Sequence, residues 1–128
     1  MLRPYFLILF FAIILVACKP APQNYDELMT HPDELSKAML HCRMDNFTGT
    51  NCQTIQHAAS DFSVMVNQRA IDPIGFGKKI LAAETTLSEQ QIQYQKTPTP
   101  STQQSLATAQ LQVDIMMAVL KATFTDAM

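Results

Sequence analysis

The chain has little of what most functional classes require. Basic residues are not in excess: 9 Lys and Arg stand against 11 Asp and Glu, a formal charge of −2. A weakly acidic balance gives no electrostatic footprint for nucleic acid and no polybasic patch for anionic lipid. There is no nucleophile elbow with His and Asp partners to suggest acyl transfer. Gly75-Phe76-Gly77-Lys78 has a superficial likeness to a phosphate loop but lacks both the required spacing and a preceding strand. The acidic pairs Asp26-Glu27 and Asp33-Glu34 each fall at an expected helix start, where the positive end of the helix dipole accounts for them. Convergent polar groups that would define a small-molecule pocket are also missing. No catalytic residue, cofactor, metal or small-molecule ligand is therefore expected, and the chain does not read as an enzyme.

Long apolar runs are scarce too. Tyr5 to Val16 is uncharged over 12 residues, well short of the ~20 that span a bilayer. Arg3 precedes this run and Leu15-Val16-Ala17-Cys18 follows it, the order of a secretory signal with small residues at the cut site. Leu-Val-Ala-Cys matches the lipobox of bacterial lipoproteins, and the Cys18 thiol is the nucleophile that would take up the lipid. Residues 1–17 are thus expected to be removed and Cys18 to be lipidated. Loss of Arg3 brings the charge of the remaining 111 residues to −3. Anchoring then falls to the lipid, which holds stably when it carries two or more acyl chains. Residues 18–24, with Pro20 and Pro22, read as the lipidated cysteine and a short stiff tether. Residue 19 is Lys, where Asp would favour inner-membrane retention in enteric bacteria. The expected location is the cell envelope, facing the periplasm, with the outer membrane favoured.

Cysteine is rare as well, and after Cys18 only Cys42 and Cys52 remain. In an oxidising compartment an even pair reads as a disulfide. Leu35, Ala38, Met39 and Cys42 fall on one helical face, with Pro32 at a first-turn position. A second helix is expected to open at Thr50-Asn51-Cys52-Gln53, which has the form of a capping box. Its apolar face reads Cys52, Ile55, Ala59, Phe62 and Val66. A Cys42–Cys52 bond would staple these helices into a hairpin over residues 25–71. The rival is a zinc site drawn from His31, His41, Cys42, Cys52 and His57, but its ligands lack the paired short spacings of structural zinc.

Residues 72–128 read as a second helical pair. Asp72 to Gly77, with one Pro and two Gly, is expected to break the chain before a helix over 78–95. Ile80, Leu87 and Tyr94 mark the face of that helix, widened by Leu81 and Ala83. Pro98 and Pro100 stop it. Ser101 and Gln104 offer a further capping box. Leu106, Val113, Met117, Leu120 and Phe124 form the stripe of the last helix, with Met116 beside it. That stripe would pack on helix 78–95 or dock another protein. The expected fold is all-α: a disulfide-stapled helical hairpin followed by a second helical pair, behind a cleaved signal peptide.

Tyr25-Asp26-Glu27-Leu28-Met29-Thr30-His31-Pro32-Asp33-Glu34-Leu35, followed by Cys42, then Cys52 and Ala58-Ala59, resembles the EexN family of entry-exclusion lipoproteins. The shared features are the lipobox, the aromatic residue, the His-Pro-acidic-acidic-Leu helix start and the two cysteines with an alanine-containing helix behind the second. The resemblance covers about residues 1–62. It departs at Gln53-Thr54, where the family usually has Asn-Ala, and in the loop between the cysteines, which lacks Asn-Pro. Residues 72–128 extend beyond most members. The resemblance implies a membrane-anchored protein that blocks redundant conjugative DNA entry by binding a protein of the type IV secretion machinery. Tyr25, His31, Phe47 and Asn51 are the candidate contact residues. Two further classes are a structural lipoprotein of the secretion apparatus and a periplasmic inhibitor or small-ligand binder.

Overall fold

The computed structural model describes residues 24–49 and 51–125, with side chains through Thr123. Cys18, the expected signal peptide, residues 19–23 of the expected tether, Thr50 and the Phe124 side chain lie outside what is described. Among the described residues there are helices and no strands. The helices are α1 (Tyr25–Thr30), α2 (Pro32–Met44), α3 (Cys52–Ile71), α4 (Pro73–Lys96) and α5 (Pro100–Thr125). None of them is long and apolar enough to cross a membrane.

Each start and stop has a local cause. The Asn24 side chain accepts the Glu27 N–H at 2.7 Å and caps α1. His31 is shared by α1 and α2. Its N–H donates to Glu27 O at 3.0 Å and closes the first helix, while Pro32 opens the second with Asp33 and Glu34 behind it. α2 ends with His41 and Arg43 in its last turn, where cations suit the dipole. There Phe47 N–H donates to Cys42 O at 2.8 Å and Asn46 N–H to Arg43 O at 3.3 Å, the paired bonds of a Schellman stop. Both residues are left-handed, with φ of 51° at Asn46 and 60° at Phe47. Asparagine tolerates that region; a bulky aromatic rarely does.

Cys42, in the last turn of α2, is bonded to Cys52, the first residue of α3, with Cα atoms 5.5 Å apart. Both are buried. Gly49 packs closely here: a Cβ would stand 3.2 Å from the Cys52 sulfur. The staple therefore forms as expected; Asn51, the residue before α3, makes no side-chain capping bond, and Thr50, the expected cap, lies outside the described residues. Covalent closure by the adjacent cysteine holds this end.

Three expectations are corrected. The break at 72–77 is a single residue. Asp72 leaves α3, accepts Gly75 N–H at 2.8 Å and starts α4 at once with Pro73. Gly75 lies inside the first turn, where its missing Cβ makes room for the Asp72 carboxylate. The cap of α5 is Thr99, not Ser101: Thr102 N–H donates to Thr99 Oγ1 at 3.2 Å and Thr99 N–H to Thr102 Oγ1 at 2.9 Å, with Pro100 at the first helical position. Leu81 and Met117 are exposed rather than part of the buried stripes. Successive helical residues turn by about 100°, so Leu81 points away from the seam that Ile80 and Ala83 enter. On α5 the buried face changes partner, from Ala109 and Val113 against α4 to Ala118 and Val119 in the core of the first hairpin, and Met117 falls outside it.

The two helical pairs share one core. Leu28 and Met29 of α1, Leu35, Ala38 and Cys42 of α2, Cys52, Ile55, Ala58 and Phe62 of α3, Phe76 of α4, and Ala118 and Val119 of α5 form a single buried cluster. α4 and α5 pair along their length and run on past this core. Beyond it their seam is thinner, closed by half-buried Leu87, Tyr94 and Leu106.

Two stability measurements follow. Closing a loop between positions 10 apart is worth about 2.7 kcal/mol in the chain-entropy model, so Cys42→Ala/Cys52→Ala is expected to lower Tm by about 10 °C or more in thermal unfolding. A Cβ at Gly77 would meet nothing within 4 Å, so Gly77→Ala is expected to raise stability by about 0.5–1 kcal/mol.

Candidate functional site

α1 lies against α3 and α5, and the seam it leaves open forms a groove of about 390 Å³. Its floor and walls are apolar: Met29 from α1, Val64 and Met65 from α3, Ile115 and Met116 from α5. Tyr25, Asp61 and Gln112 supply the polar edge. Three methionines in one groove make a soft, adaptable lining, because an unbranched thioether chain can repack around a guest.

The edge is a small hydrogen-bonded group. Tyr25 donates its hydroxyl to Asp61 Oδ2 at 2.6 Å. His57, one turn earlier on α3, places Nδ1 at 3.2 Å from the same oxygen, and its ring centroid is 5.5 Å from that of Tyr25 in a tilted arrangement. Burial, the bond to Asp61 and the negative charges of Asp61 and Asp26 push the Tyr25 phenol up to about 12. At neutral pH it is a committed donor and holds no charge. The arrangement can orient a surface and donate or accept hydrogen bonds.

The four candidate contact residues are not gathered into one place. Tyr25 is half-buried, its hydroxyl donates to Asp61, and part of its ring edges the groove. His31 is exposed at the other end of α1, its Nδ1 at 3.0 Å from both Glu27 O and Thr30 Oγ1. It borders a hollow of about 660 Å³ with Asp33, Glu34, Lys37 and Lys121. That hollow is larger than the apolar groove, but the charged side chains around it must shed water to be covered, which costs more than burying apolar area. Phe47 and Asn51 remain on the turn beside the disulfide, both exposed. Phe47 shows 45% of its surface while held at positive φ. An aromatic side chain kept outside the core in a costly backbone conformation is a feature of contact sites.

The sulfurs that a zinc site would need are bonded to each other, and among the described residues no three His, Cys, Asp or Glu come together to hold a metal. Asp61, Met65 and Ile115 were not singled out from sequence. The four-residue spacing of His57 and Asp61 was legible, but the partner that gives it meaning, Tyr25, lies 36 positions from Asp61. Compared with protein-family models, curated proteins and solved structures, the chain matches none.

The Tyr25–Asp61 bond sets a pH dependence. The folded-state pKa of the phenol lies above its ordinary value of 10.0, so the stability it contributes is complete below pH ~10 and is lost as pH rises toward 12. Absorbance of ionised tyrosine should show this residue titrating near 12, and Tyr25→Phe should remove that titration and cost about 1 kcal/mol in denaturant unfolding. Titration of Tyr25 at an ordinary value would mean that neither its burial nor its bond to Asp61 persists in solution.

Proposed function

We propose that this chain is a lipid-anchored envelope protein that blocks redundant conjugative DNA entry by binding a protein of the type IV secretion machinery. The observation that carries the reading is the folding together of the stretch that resembles the EexN family. Tyr25, the helix start at Pro32 and the two cysteines occupy one stapled unit, α1 to α3, rather than scattered segments. The mode of action is binding. Phe47 stands out from the stapled turn as an aromatic anchor of the type that dominates protein interfaces, and the methionine-lined groove offers an adaptable apolar surface. Cys18 supplies the lipid anchor.

A second reading has its own support. The α4–α5 hairpin continues past the shared core and turns Leu81 and Ile92 to solvent, which suits a structural component of a secretion-system envelope complex with two binding faces. Deleting residues 72–128 cannot separate the two readings, because Phe76, Ala118 and Val119 would leave the core with the hairpin. Replacing only residues 87–108 by a short glycine-containing turn can, since Thr86 and Ala109 line the same hollow between the helices.

In a mating assay, the full-length protein in a plasmid-free recipient should sharply reduce transconjugants from a donor carrying the matching conjugative system. Cys18→Ser should abolish the effect. Phe47→Gly, which relaxes the positive φ and keeps the disulfide, should weaken exclusion while leaving Tm unchanged or higher. The 87–108 replacement should still exclude; loss of assembly of the transfer apparatus with this variant would favour the structural role. Undiminished transfer into cells with confirmed, lipidated protein would overturn exclusion for that system.

A further inference from the structure

The elbow between α3 and α4 is built unlike the rest of the surface. Ile71 closes α3 and Ile74 opens α4, and they are 84% and 74% exposed. Leu81, one heptad beyond Ile74, is 64% exposed, and Lys78 lies between Ile74 and Leu81 on the same helical face. Lys79 extends back over the elbow: its Nζ donates to Gln68 Oε1 at 3.2 Å, and it lines one hollow with Ile71. Arg69 adds a third cation in the last turn of α3. One acid, Asp72, stands at this corner among the three cations and accepts the Gly75 N–H.

The elbow is also rigid. Phe76, 3% exposed, pins the first turn of α4 into the core, so the isoleucines are held out rather than waiting to fold in. Apolar side chains at a fixed corner, ringed by cations in a chain of net charge −2, have the chemistry of a contact with an anionic lipid surface. The isoleucines would enter the headgroup–acyl boundary, and the lysines would stay at the phosphate level with their alkyl stems alongside. A helical partner fits less well, because the heptad positions that continue from Ile74 and Lys78 along α4 are Leu81, Thr85, Ser88 and Ile92, half of them polar.

We infer that the α3–α4 elbow, through Ile71, Ile74, Lys78 and Lys79, docks on the anionic phospholipid surface to which Cys18 is tethered. This rests on the lipid-anchor reading. The seven residues from Cys18 to Asn24 can span no more than roughly 25 Å. They lead to Tyr25, which touches Asp61, and from Asp61 to Ile71 the rise of α3 is about 15 Å. The elbow is therefore within reach of the same bilayer. Docking there would fix the orientation of the domain, which attachment at a single point cannot do.

The test uses the full-length lipidated protein in vesicles of phosphatidylethanolamine and phosphatidylglycerol, with an environment-sensitive fluorophore on Ile74→Cys and, as a control at the other end of α3, on Gln56→Cys. The expected result is a blue shift at position 74, quenched by nitroxide-bearing lipid, absent at position 56, and lost when Lys78→Glu/Lys79→Glu is added. Emission at position 74 as in water overturns the inference. So does a shielded fluorophore that lipid-borne nitroxide fails to quench, since a second copy or another protein would then cover the elbow. Undiminished quenching in the double charge reversal also overturns it. Intact mass of the same preparation reports acylation of Cys18: unacylated protein defeats the anchor reading, whereas acylated protein with a water-exposed elbow defeats only the docking.

Discussion

Leu28 and Val119, each with almost no exposed surface, come from opposite ends of the described chain and meet in one core. The rest of the structure depends on that burial. α1 is six residues long, far below the length at which an isolated helix persists in water. It exists because Leu28 and Met29 are covered on one side by the stapled hairpin and on the other by α5. Without the C-terminal half of α5, α1 would have no cover for its apolar side, and Tyr25 would lose the frame that sets it against Asp61.

The disulfide and the shared core divide the work. The bond joins the last turn of α2 to the first turn of α3, where the connecting turn is short, exposed and contains two left-handed residues. Such a turn has little burial of its own to hold it. The covalent link keeps the two helix ends together and leaves the turn free to display Phe47. At the other end of α3 the chain needs no such staple, because the Asp72 cap and buried Phe76 hold the elbow noncovalently. The molecule thus presents two fixed projections at opposite ends of α3, an aromatic one beside the disulfide and an aliphatic, cationic one at the elbow, with the methionine-lined groove between them.

Much of the fold was legible in the residues. Helical periodicity, the Pro-led start at Pro32, the stop at Pro98 and Pro100, and the placement of two cysteines at facing helix ends were enough for an all-α chain with a stapled hairpin. The misses were local and share one cause. At Gly75 and Gly77 helix propensity argued for a break, and the Asp72 cap together with burial of Phe76 overrode it. At Ser101 the capping pattern was present in sequence, but the Thr99–Thr102 pair satisfied the first turn of the helix instead. Of the candidate site, Tyr25 and the turn were marked, while Asp61, Met65 and Ile115 were not. Their significance comes only from who stands next to them.

What the sequence by itself determined was periodic: which segments are helices, which faces are apolar, and which two sulfurs could meet. These depend on neighbours three, four or ten positions away, and such spacings can be read along a chain. Tertiary structure alone decided that the two helical pairs form a single core, that Tyr25 gives its hydroxyl to Asp61 instead of to a partner, and that Ile71 and Ile74 are left in solvent with Lys78 and Lys79 around them. Each of these depends on contacts or exposure set when distant helices pack. Burial is shared among elements that have no fixed spacing in sequence, so no local pattern announces which apolar residue will be covered and which will be left out.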